Sequence, residues 1–67
     1  MPWNETYFPH SMANLPPVVR AKAIQIANAL LEQGYEEGKA IRIGISQARR
    51  WANKAGLPNP FESMEPR

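Results

Sequence analysis

Seven prolines punctuate this chain, and all of them lie near its ends. Pro2, Pro9, Pro16 and Pro17 fall in the first quarter, while Pro58, Pro60 and Pro66 fall in the last stretch. Proline fixes φ, lacks an amide hydrogen and drives the residue before it out of the helical region. Continuous helix is therefore confined to the span between the two groups. Pro17 itself can open a helix, because its missing N–H would have no partner in the first turn.

Inside that span the apolar residues recur at intervals of three and four. Val19, Ala23, Ile24, Ile26, Ala27, Leu30 and Leu31 make a wide apolar face, with Lys22, Gln25, Glu32 and Gln33 on the other side and Asn28 at its edge. Gly34 supplies a stop, so a first helix is predicted over about 17–33. In "GYEEGKA", Glu36 and Glu37 stand where the dipole of a new helix favours carboxylates. Tyr35 is expected to pack there as a staple. A second helix is predicted over about 36–55, ended by Gly56. Ile41, Gly44, Ile45, Ala48, Trp51, Ala52 and Ala55 gather on one of its faces. Gly44 on that stripe, beside small Ala48, implies close approach of the first helix, or else of a ligand or partner. So tight a loop makes the helices antiparallel neighbours.

The fold class is thus all-α: a two-helix hairpin with a proline-aromatic arm at its N-terminus. The arm, "MPWNETYFPHSMANLPP", allows one short helical turn near Ser11 to Asn14. Trp3, Tyr7, Phe8, Met12 and Leu15 are too many apolar residues for a solvated tail. They either cap the helices, or Trp3, Tyr7 and Phe8 form an exposed recognition arm. Residues 1–56 are expected to form one domain and 57–67 a tail with a disordered end, from which Leu57 and Phe61 can fold back. A chain of 67 residues buries only about 60% of its unfolded surface. Arm packing or association with another chain is needed to complete such a core.

Residue inventory narrows the function classes. The chain has no cysteine and no aspartate, and its single histidine, His10, lies in the proline-flanked arm. No thiolate or other metal-ligand spacing, phosphate loop or nucleophile elbow is present. No catalytic residue, cofactor or metal is therefore expected. The chain shows neither a signal peptide nor an apolar run long enough for a membrane helix, so a cytoplasmic location is expected.

The net charge is +2, but its distribution is uneven. Lys39, Arg42, Arg49, Arg50 and Lys54 lie on the second helix away from its apolar stripe, with Ser46, Gln47 and Asn53 among them. No acidic side chain interrupts this side between Glu37 and Glu62. Such a strip can neutralise phosphates, or it can simply be solvated. Ile43 sits among these polar residues, where an exposed β-branched side chain marks a contact with the arm, the tail or another chain. Two readings follow: a protein-interaction or self-associating regulatory module, and a nucleic-acid binder using the basic face. A third is a domain that serves only when joined to a longer chain.

The framework "MPW", "PHSMANL", "KAIQIANALLEQGYEEGKAI" and the late Trp51 resembles a family of short, uncharacterised bacterial proteins. The resemblance covers about residues 1–52 and implies no particular activity. Leu15 and Pro16 before a helix, with Ala48 and Trp51 in the next, also show a fainter similarity to ChaB-like proteins, which are associated with regulation of cation transport. The chain departs from these in lacking the acidic stretch of their second helix and the aromatic position that follows.

Overall fold

A computed structural model describes residues 2–56 of the chain. Two antiparallel helices dominate it: α1, Pro17–Glu32, and α2, Glu37–Ala55. The expectations for 57–67, including Leu57 and Phe61, lie outside the described residues.

Local chemistry sets each helix end within one residue of its predicted place. Pro16 is extended (φ −56°, ψ 150°) and Pro17 opens α1. The Arg20 N–H donates to the Pro16 carbonyl at 2.8 Å. At the other end Gly34 takes a positive φ of 97°. There the Gly34 N–H reaches the Leu31 carbonyl at 3.0 Å and the Tyr35 N–H reaches Leu30 at 3.1 Å. This reversed pair of bonds satisfies two carbonyls that the helix leaves without partners. Glu36 is again extended (φ −64°, ψ 148°) and makes no side-chain cap bond, while Glu37 occupies the first turn of α2. Tyr35 is exposed, contrary to the staple expected of it. The position it would pack against is Ala40, whose single methyl is already buried and offers little to a staple.

The helices meet along a seam of small residues. Ala23 and Ala27 of α1 and Ala40, Gly44, Ala48 and Ala52 of α2 are all buried. A Cβ added to Gly44 would stand 2.9 Å from the Ala23 carbonyl oxygen and 3.2 Å from the Ala27 Cβ and N. Gly44 therefore serves the approach of α1, the first of its two sequence readings. Ile41, Ile45 and Trp51 pack half-buried around the core. Ala55, predicted on the buried face, is exposed, whereas Ala40 is buried. The seam is centred on the 40–44–48–52 row, which has the steps of four that bring side chains into line on a helix.

The arm completes the core. Trp3, Met12 and Leu15 are buried together with Val19, Ile24, Ala48 and Ala52. The expected short turn is a 3-10 turn over His10–Met12. Ahead of it, the Asn4 side-chain oxygen accepts from the Thr6 N–H (2.8 Å), the Thr6 hydroxyl (2.7 Å) and the Tyr7 N–H (2.9 Å). Asn4 and Tyr7 also exchange backbone bonds of 2.8 and 3.2 Å. This side-chain turn closes the chain without help from a helix or sheet.

Asn28 ties the arm to α1. It is 3% exposed, accepts from the Trp3 N–H at 3.3 Å and donates to the Trp3 carbonyl at 3.0 Å. One amide thus satisfies both backbone groups of a buried residue, as a neighbouring strand would. Arg20 makes a second tie. Its guanidinium donates to the carbonyls of Ala13 (3.3 Å) and Leu15 (3.1 Å) and lies 4.8 Å from the Phe8 ring centroid.

Candidate binding face of the second helix

The seam that buries one side of α2 fixes what its other side presents. At about 100° per residue, Arg42, Ser46, Arg49 and Asn53 stand in one row opposite Gly44 and Ala48. All four are exposed. Arg50, Lys39 and Lys54 flank this row on one side and are exposed too; half-buried Ile45 flanks it on the other. Arg42, Ile45, Ser46, Arg49, Arg50 and Asn53 together line an open depression of about 530 Å³. An open depression does not enclose a small molecule, but it admits an edge of a larger one.

The charges of the described residues are segregated. Glu32, Glu36 and Glu37 gather at the turn between the helices, and Glu5 lies in the arm. After Glu37, α2 carries only cations. Arg42 and Arg49 stand about 10 Å apart along the axis, close to the Debye length of about 10 Å at moderate ionic strength. Their fields overlap at low salt and separate at high salt. Lys54 lies in the last turn, where the helix dipole favours a cation, so part of its role is structural.

The other candidate residues divide. Trp3 is 7% exposed and Phe8 half-buried, so neither is presented by the arm; Tyr7, at 68%, is the one arm aromatic that faces outward. Ile43 is half-buried, which corrects its expected exposure. On the wheel it stands between Arg50 and Lys54, so the polar side of α2 carries one half-buried apolar position. Lys22 and Trp51, assigned to opposite environments by periodicity, meet instead: the ammonium lies 5.2 Å from the ring centroid. A second open depression, about 480 Å³, runs over Glu5, Pro17, Val18, Ala21, Lys22, Gln25 and Trp51.

Among the described residues no group of three or more His, Cys, Asp or Glu could hold a metal ion, and no helix is long and apolar enough to cross a membrane.

Sequence comparison places these features in a bacterial context. The chain is 53% identical over 55 residues to the uncharacterised protein YdaT of Bacillus subtilis (strain 168). The match takes in 82% of this chain and 37% of that relative, so the chain spans little more than a third of the relative's length. No family model and no solved structure matches. The fainter ChaB-like resemblance accordingly brings no label with it. The chain is similar to a longer, uncharacterised bacterial protein.

Proposed function

We propose that this chain is a non-enzymatic binding module of the bacterial cytoplasm, and that the outer face of α2 contacts the phosphate backbone of nucleic acid. The observation that carries this reading is the exposed row Arg42, Ser46, Arg49 and Asn53 with Arg50 beside it, on a helix without an acid after Glu37. Arginine pairs with phosphate oxygens through two parallel N–H donors, which gives such a row geometric as well as electrostatic complementarity. The non-catalytic part of the reading rests on residue types: one histidine, no cysteine and no aspartate.

Titration of a DNA duplex into the protein at low salt is the test. Amide resonances along 42–53 should shift, and affinity should fall steeply with salt, as expected when bound counterions are released. Changing Arg49 and Arg50 to Glu should weaken binding by about ten-fold or more. Unchanged amide resonances at low salt would refute the reading.

A protein partner is the second reading. Val18, 56% exposed, and half-buried Ala21 and Trp51 share the depression across α1 and supply an apolar contact there. Light scattering that shows self-association, lost on Val18→Glu, would favour it.

A further inference from the structure

The outer face of α2 separates two kinds of side chain by position. Its central row holds Arg42, Arg49 and Asn53, and its cationic flank holds Lys39, Arg50 and Lys54. Bases and phosphates ask for different things. Arginine can donate twice to guanine O6 and N7, and asparagine can pair with adenine N6 and N7; flanking cations meet phosphates as charges. Opposite that flank, Ile45 adds an apolar edge of the kind that meets a thymine methyl.

The shape agrees with one groove. A helix with its side chains measures about 10–12 Å across, and the B-DNA major groove is about 12 Å wide. The row from Arg42 to Asn53 is about 16 Å long, the rise of about five base pairs. The seam with α1 lies on the opposite side of α2, so the row leads into a groove with α1 behind it. The major groove of an A-form RNA duplex is too deep and narrow for this entry.

We infer that α2 enters the major groove of B-form DNA, its central row against base edges and its Lys39–Arg50–Lys54 flank against one phosphate strand. This rests on the nucleic-acid reading above and goes beyond it by naming the duplex and the groove and by moving the phosphate contacts from the central row to its cationic flank.

The test compares three fluorescent probes of the same mixed sequence by anisotropy: a DNA duplex, its single strand and the RNA duplex. Charge density alone would bind the two duplexes alike. Groove entry should favour the DNA duplex by about ten-fold over the RNA duplex. Methyl green, which occupies the major groove, should displace the protein, and netropsin, which occupies the minor groove, should not. The Arg42→Ala/Asn53→Ala variant should lose most of the preference for DNA duplex. The Lys39→Ala/Arg50→Ala variant should weaken binding to all probes and reduce the salt slope by about one for each cation removed. Circular dichroism melts verify that both variants fold, since all four positions are exposed. RNA duplex or single strand bound as tightly as DNA duplex, or displacement by netropsin, would overturn the groove inference while leaving the phosphate reading standing. No binding to any probe would overturn both.

Discussion

Two glycines of α2 show how strongly a residue's worth depends on what faces it. Gly44 has no room for a methyl: two of the three close atoms belong to the backbone of α1 and cannot swing away. Alanine there gains about 1 kcal/mol in helix propensity but must push the helices apart, and overpacking costs about 1–3 kcal/mol. Gly38 is in the same helix, and a Cβ there meets only the Glu36 carboxylate at an ordinary 3.7 Å. Gly44→Ala should therefore lower the melting temperature and Gly38→Ala should raise it, both read by thermal unfolding; a rise for Gly44→Ala would mean that the seam is looser than its distances. The close approach at Gly44 was legible from its place on the apolar stripe beside Ala48. Asn28 was not. Periodicity puts an amide at the margin of an apolar face into solvent, whereas the backbone of Trp3, arriving from far along the chain, gives it buried partners.

Helix ends were the most legible feature at the scale of elements, because Pro17, Gly34 and Gly56 act through their own backbones. The outward direction of the α2 cations was legible for the same reason: it follows from the period once the stripe is known. Lys22 was misplaced because its long side chain reaches a ring on the partner helix, which a single helix's period does not contain. The arm is the element whose docking rests on the fewest groups. Asn28→Ala removes both bonds to Trp3 and leaves a buried N–H and carbonyl without partners, each costing about 1–3 kcal/mol. The variant should lose about 2–6 kcal/mol in denaturant unfolding. Amide exchange at Trp3 should speed up well before exchange within α1 and α2. Equal acceleration throughout would show that the arm and hairpin are one cooperative unit.

For the whole described molecule, one principle links core and candidate surface. The hairpin seam is built from alanine and glycine, and the arm adds Trp3, Met12 and Leu15 to Val19 and Ile24 of α1 in the core. Packing against α1 therefore occupies one side of α2, and its cations stand at exposed positions on the other. The separation of acids at the helical turn from cations along α2 gives the molecule a direction, which suits electrostatic steering toward a polyanion. This asymmetry also gives the protein two built-in optical reporters. Trp3 is enclosed by the arm–helix core, while Trp51 is half-buried at the ammonium of Lys22. Trp51→Phe should leave emission that reports the arm alone, shifting to longer wavelength as the arm detaches. Trp3→Phe should leave emission that follows the hairpin and the Lys22–Trp51 pair. Midpoints from these two single-tryptophan proteins would time the release of the arm against the opening of the helices.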